Sequence, residues 1–349
     1  MHDGPIHRGP EGLRQQPARP SQGSGYGHPA TAPCQERNLA MTRLLFAATL
    51  GALLSVAPAS AQVTADTIYD AVEHHYVDNE GVSIHYVTHG EGPVLLFIHG
   101  FPNQWYDWRH QMAALSDEYQ VVAISLRGYN RSDRPVGVAQ YAVDHLTADV
   151  AAVIRDLGHD RATIVGHDWG GIVGWSFAER YPQMTERLVI FNRPHPRSRK
   201  REMALNNEQK RRSAYIARFT TNPGDLGGMD AERRAQRWEG TVWHERYVEA
   251  YRRSDYEAML NYYRSYYPAP PWMVDDSAIV PLDVAVLEFH GLEDGAYVNE
   301  SLNDTWESMG RDFTLMTLPG IGHNSQNTGD VPFVTNMLRS WLALQQARP

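Results

Sequence analysis

Gly166-His167-Asp168-Trp169-Gly170-Gly171 stands between a short apolar run, Ala162–Val165, and a segment of helical spacing, Ile172–Arg180, that stops before Pro182. A strand must here become a helix within a few residues. Gly166 and Gly170 leave room for so tight a turn around a strained central residue, the arrangement of a nucleophile elbow. Asp168 would then project above the carboxyl edge of a sheet at the start of a helix, where the helix dipole favours an ionised carboxylate able to act as a nucleophile. The plainer alternative is that Asp168 only caps a helix beginning near Gly170. The flanking glycines and the upstream turn His99-Gly100 favour the elbow.

Outward from the elbow the chain alternates short β-branched runs with helical stretches. Strands are expected at Val82–Val87, Val94–Ile98, Val121–Ser125, Ala162–Val165, Leu188–Phe191, Val284–Phe289 and Phe313–Thr317, and helices at Tyr141–Leu157, Ile172–Arg180 and Thr335–Gln345. Short unbroken apolar strands separated by helices imply an α/β fold with a mostly parallel central sheet covered on both faces. The rhythm fails between about Arg193 and Asp276, a charged, Tyr-rich, helical stretch. The expected organisation is therefore a core in two parts, 62–192 and 281–349, with a helical cap at 193–280 inserted after one strand; inserted segments on a rigid scaffold commonly shape sites.

The 349 residues carry a net charge of −9 and a single cysteine, Cys34. That excludes a disulfide framework and a cysteine-based zinc module. The acidic balance argues against a nucleic-acid partner, and no apolar run reaches the roughly 18 residues of a spanning helix. Neither a phosphate-binding loop nor a dinucleotide glycine fingerprint is present. His74-His75 lies on an expected early strand, where neighbours face opposite ways and make a poor chelate. No metal and no organic cofactor are expected.

The amino terminus reads as two segments. Residues 1–40, rich in Pro, Gly, Gln, Arg and His without a hydrophobic period, are expected to be disordered. From Met41 a short basic lead, the apolar stretch Leu44–Val56 and the small-residue ending Ala59-Ser60-Ala61 follow in the order of a secretory signal peptide, 41–61. A core helix or a membrane anchor is the alternative. The expectation is a secreted or periplasmic protein cleaved after Ala61, with Met41 the true start and 1–40 untranslated. Removing 1–61 takes away five arginines, three acidic residues and Cys34, leaving a net charge of −11.

With these residues in place, the chain resembles the α/β-hydrolases of the epoxide hydrolase and haloalkane dehalogenase branch, in which aspartate replaces serine at the elbow. The resemblance runs from about His74 to Leu344. It implies a carboxylate that attacks saturated carbon and is left as an alkyl ester. His99-Gly100-Phe101-Pro102 resembles the family's His-Gly-x-Pro turn, which implies an oxyanion hole from the amides of Phe101 and Trp169 and a substrate wall from His99, Pro102 and Trp169. Partners follow in the order nucleophile, acid, histidine. His323, in Gly320-Ile321-Gly322-His323 beyond the last strand, is the expected general base. Asp294 is the expected acid, with Glu293 its competitor. Some relatives carry the acid after the preceding strand, where this chain has Asn192, which cannot hold the charge.

Opening an epoxide leaves an alkoxide that needs a proton or hydrogen-bond donor, and a neutral phenol can supply it. Asn261-Tyr262-Tyr263-Arg264 and the Tyr215/Phe219 pair resemble the family's two tyrosine segments, implying Tyr263 and Tyr215 as donors; Tyr262, Tyr266 and Tyr267 are competing neighbours. The small-molecule partners implied are an epoxide and water. A dehalogenase with the same triad is the alternative, but Phe101 replaces the Asn usual in haloalkane enzymes and Trp169 the Arg of fluoroacetate-type enzymes. A non-catalytic binding module is a third reading, disfavoured because every triad position is filled.

Overall fold

Eight strands form one sheet: β1 (Glu73–Asn79), β2 (Val82–His89), β3 (Val94–Ile98), β4 (Gln120–Ile124), β5 (Ala162–His167), β6 (Thr185–Phe191), β7 (Ala285–Gly291) and β8 (Phe313–Leu318). The computed structural model describes residues 62–221 and 230–347, within one compact unit spanning 59–349. The segments 1–40 and 41–61 lie outside the described residues.

The strand order is β1-β2-β4-β3-β5-β6-β7-β8. From β4 to β8 all pairings are parallel; β2 pairs antiparallel with both β1 and β4. The sheet is thus the α/β-hydrolase arrangement, with an antiparallel edge on an otherwise parallel sheet. That edge begins with a two-residue turn, Glu80-Gly81, both at positive φ, which matches the twist of a hairpin.

Helices α1 (Ile68–Ala71), α2 (Arg109–Leu115), α3 (Val143–Asp156) and α4 (Trp169–Arg180) accompany the strands up to β6. Val150, Ile154, Ile172 and Trp175 of α3 and α4 bury against one face with Ile164 and Ile190. Ile68, Met112 and Leu115 of α1 and α2 bury against the other with Leu95, Val165 and Val189. Among the described residues between β6 and β7 run six α-helices: α5 (Pro196–Leu205), α6 (Asn207–Arg212), α7 (Ala214–Thr221), α8 (Ala231–Ala235), α9 (His244–Arg253) and α10 (Tyr256–Tyr266). The helical character ends at Tyr266, short of the expected boundary, because Pro268, Pro270 and Pro271 follow and proline cannot continue a helix. The last helix, α11 (Val331–Gln346), covers the second face through Leu338, Trp341 and Leu342. It starts four residues before the expected Thr335. Asp330 caps it and Pro332 sits in its first turn, where a missing N–H costs nothing.

Helix α10 is anchored to the core at its start. The Asp255 side chain accepts the N–H groups of Glu257 (2.9 Å) and Ala258 (3.2 Å), and the Asp255 N–H donates to the Gly128 carbonyl at 2.9 Å. The Tyr262 hydroxyl donates to the Arg127 carbonyl at 2.7 Å. Arg127 is itself fixed by a buried two-pronged ion pair to Asp149, at 2.8 and 2.7 Å.

Candidate active site

Asp168 lies between β5 and α4 with φ 53° and ψ −113°, a backbone conformation costly for any side chain but glycine. The strain persists because neighbours leave no alternative. A Cβ at Gly166 would overlap the Gly170 carbonyl, and one at Gly170 the Ile98 carbonyl. The helix begins directly after Asp168, so its carboxylate stands at a helix N-terminus. It is 6% exposed.

The Phe101 N–H donates to Asp168 Oδ1 at 2.9 Å. The other oxygen, Oδ2, lies 3.4 Å from His323 Nε2. His323 Nδ1 meets Asp294 Oδ2 at 2.8 Å. Asp294 is buried at the end of β7, and its Oδ1 accepts the amides of Ala296 (2.7 Å) and Tyr297 (3.2 Å). Glu293 is exposed, so Asp294 alone of the two reaches the imidazole. Of the two expected amide donors, Phe101 already binds the carboxylate. Trp169 opens α4, and its N–H is among the first-turn donors that a helix leaves without an internal acceptor.

Burial works to raise the Asp168 carboxyl, yet its hydrogen bond to His323, the charge of that imidazolium and the Phe101 N–H leave it below its ordinary value. Asp294 is lowered in the same way, against burial, by His323. Burial works to lower His323, but the charge of Asp294 and hydrogen bonds to both carboxylates raise it to about 10. The resting site is therefore an imidazolium between two carboxylates.

The two expected phenols come from the inserted helices, Tyr215 from α7 and Tyr263 from α10, with ring centroids 6.1 Å apart. Tyr263 also packs on Phe101 (5.3 Å) and Trp169 (5.0 Å). Burial first, with the negative charge of Asp168 contributing, raises both phenols above their ordinary value. Both keep their protons at neutral pH. Tyr262 is spent on the Arg127 carbonyl, and Tyr267 accepts from Arg193 at 3.3 Å. Trp169 joins the halves of the site: rings of Tyr262, Tyr263, Tyr266 and Tyr267 all stand edge-on to it.

His99, expected among the substrate-binding residues, has both ring nitrogens on backbone: Nδ1 pairs with the Gly100 carbonyl at 2.9 Å and Nε2 accepts the Leu126 N–H at 3.2 Å. Burial lowers its pKa to about 4. It is a neutral brace for the turn, with no ring nitrogen left for a substrate. Pro102 is half-buried beside Phe101 and lines a cavity of about 640 Å³ with Asn103, Arg237 and Tyr251.

Three residues make contacts around the site that the sequence reading did not give them. Asn192 donates to Asp294 Oδ2 (2.9 Å) and to the Gly322 carbonyl (3.3 Å), while its Oδ1 accepts from Ser325. His167, fully buried, donates from Nε2 to the His323 carbonyl at 2.8 Å. Arg193 donates to the hydroxyls of Tyr267 and Tyr297. Among the described residues no group of three or more His, Cys, Asp or Glu side chains could hold a metal ion, and no helix is long and apolar enough to cross a membrane.

Residues 93–278 match the α/β-hydrolase fold family. The chain is 32% identical to epoxide hydrolase 1 of Caenorhabditis elegans over 288 residues, covering 77% of this chain and 70% of that protein. It is 44% identical to epoxide hydrolase 4 of Mus musculus over 127 residues, a match spanning only 35% of either chain. Among solved structures it is similar to an inhibitor complex of the Bacillus megaterium epoxide hydrolase, with TM-score 0.69, 29% identity, and coverage of 77% of this chain and 100% of that one. It is also similar to an epoxide hydrolase from Vigna radiata, with TM-score 0.66, 27% identity, and coverage of 78% and 98%.

Proposed function

This chain belongs to the α/β-hydrolase family, in its epoxide hydrolase branch, and on that premise we propose that it converts epoxides to vicinal diols through an ester formed on Asp168. The observation that carries the reading is the division of labour at one carboxylate: Oδ1 is held by the Phe101 amide while Oδ2 faces His323. Oδ2 attacks an epoxide carbon from behind as the C–O bond breaks, and Tyr215 and Tyr263 hydrogen-bond the departing oxygen and deliver its proton. The product of this step is a hydroxyalkyl ester.

Esterification removes the charge of Asp168. His323 then loses one of the two carboxylates that hold its proton, and its pKa falls toward the range where imidazole acts as a base. It hands that proton to the phenolate left by ring opening, and the neutral imidazole then takes a proton from water as the water oxygen adds to the ester carbonyl. The oxyanion forms where Oδ1 already meets the Phe101 N–H; each such donor is worth roughly 2.7–4 kcal/mol in related chemistry. Collapse releases the diol and restores Asp168.

Single-turnover hydrolysis in heavy-oxygen water tests the route: label is expected in the Asp168 carboxylate and not in the diol. His323→Gln is expected to accumulate the ester, seen as a mass increase of the intact protein. Label found only in the diol would mean direct attack of water on the epoxide. Halide release from haloalkanes without turnover of styrene oxide would instead favour a dehalogenase. We also propose that residues 41–61 direct export and are removed after Ala61, a reading supported by the order of basic lead, apolar stretch and small-residue ending. Amino-terminal sequencing of the secreted protein should begin at Gln62.

A further inference from the structure

The open cavity of about 640 Å³ beside Pro102 has one wall from the core, Pro102 and Asn103, and one from the inserted segment, Arg233, Arg234, Arg237 and Tyr251. Among the described residues no Asp or Glu lines it, and none of the three arginines forms an ion pair with a carboxylate. Arginines of the neighbouring helices are paired: Arg211 and Arg212 with Glu208, Arg252 with Glu232, Arg253 with Glu249 and Arg264 with Glu257. The acids just before the cluster are turned elsewhere. Glu232 goes to Arg252, and the Asp230 carboxylate accepts the Arg233 N–H at 2.8 Å. Like charges three or four positions apart on a helical chain repel, so the cluster costs stability until an anion joins it.

The donors are held in place. Arg237 lies over the Trp238 ring, 3.7 Å from its centroid, and donates to Asn103 Oδ1 at 3.4 Å; Asn103 is itself 4% exposed. Arg234 Nε is buried without an acceptor. Tyr251 is 2% exposed, and its hydroxyl makes no hydrogen bond among the described residues although it stands at the cavity wall. A buried polar group without a partner is costly and calls for one. The unmet groups here are donors, so the partner must bring oxygen acceptors. The guanidinium fork fits phosphate oxygens two at a time. With three cations and no acid on the wall, a second negative charge on the ligand is attracted rather than opposed.

We propose that Arg233, Arg234, Arg237 and Tyr251 form a binding site for a small phosphate-type oxyanion carrying two or more negative charges. Neither Asp168 nor His323 lines this cavity, so the ligand is a second molecule and not the epoxide. The site adjoins the active centre all the same. Pro102 follows Phe101, whose N–H holds Asp168 Oδ1, and Asn103 Nδ2 donates at 3.4 Å to Oδ1 of Asn324, the residue after His323. The proposal does not depend on the reaction assigned to Asp168.

Titration calorimetry of the wild-type protein with inorganic pyrophosphate, at low and matched ionic strength, tests it. Pyrophosphate should bind with a Kd of about 100 μM or tighter, and at least about tenfold more tightly than acetate. Its affinity should fall as salt is raised. Arg234→Gln and Arg237→Gln should each weaken it by about tenfold, with thermal melts reporting that the variants are folded. Arg218→Gln removes an exposed arginine of α7 that also lacks a carboxylate partner, outside the cavity; it should leave binding unchanged. Equal affinity for pyrophosphate and acetate in the wild-type protein overturns the site without recourse to any variant. Pyrophosphate binding that survives both cavity substitutions, or that Arg218→Gln weakens as much as they do, overturns it as well. Because the readout is binding, a failure to hydrolyse epoxides would count against the hydrolase reading alone.

Discussion

Asn192 illustrates how much of the site's chemistry depends on residues that touch no substrate. A carboxylate there would crowd Asp294; an amide instead donates to Asp294 Oδ2 and accepts from Ser325. Replacement by alanine leaves the partners buried and unpaired. Asn192→Ala should therefore lower unfolding free energy by about 1–3 kcal/mol. It should reduce kcat with little change in KM, because the loss falls on the orientation of the histidine's acid and not on substrate. Denaturant titration and steady-state kinetics check both. The paired phenols make a second prediction at this scale. Tyr263→Phe or Tyr215→Phe alone should slow formation of the ester on Asp168 by roughly 10²-fold, a typical share for general-acid catalysis. The double variant should be slower than either, measured by rapid quench.

At the scale of elements, two junctions set the site: the elbow that joins β5 to α4, and the docking of α10 on Trp169. The elbow is a packing device as much as a chemical one. Gly170→Ala should destabilise the protein by about 1–3 kcal/mol, the usual cost of overpacking, because the added methyl meets the backbone of β3, which cannot yield as a side chain could. For α10, Asp255→Ala removes a helix cap worth about 1 kcal/mol and loosens the start of the helix that carries Tyr263. Its effect on ester formation should be smaller than that of Tyr263→Phe, and single-turnover rates beside thermal melts will separate the two.

For the molecule as a whole, titration behaviour follows from what is buried. Burial holds His85 down to about 3, and His99, His110, His167, His195 and His290 to about 4, leaving all six neutral in the fold. Their contribution is intact above pH 6.5 and is lost as pH falls from there toward 4, since the unfolded chain binds the protons first. His323 works in the opposite sense. Raised to about 10, it contributes fully below pH 6.5 and loses that contribution as pH rises through 10. Glu288, buried without a partner and raised to about 8, likewise loses its contribution as pH climbs from the ordinary carboxyl value through 8. Melting temperature should therefore peak near pH 6.5 and fall more steeply on the acid side, where the six histidines titrate together. Scanning calorimetry across pH 4 to 10 measures the curve.

The sequence by itself determined the α/β architecture, because apolar strands alternating with helical stretches are a local pattern, and it placed Asp168, Asp294 and His323 in short motifs just beyond strand ends. Only the tertiary structure brought Asp294 rather than Glu293 against the imidazole, set both His99 ring nitrogens on backbone, and gave Asn192 its place against Asp294. These outcomes depend on which groups meet across sequence separations of 27 to 130 residues. Local pattern fixes where a chain bends; burial, and with it the state of every titrating group, belongs to the assembled fold.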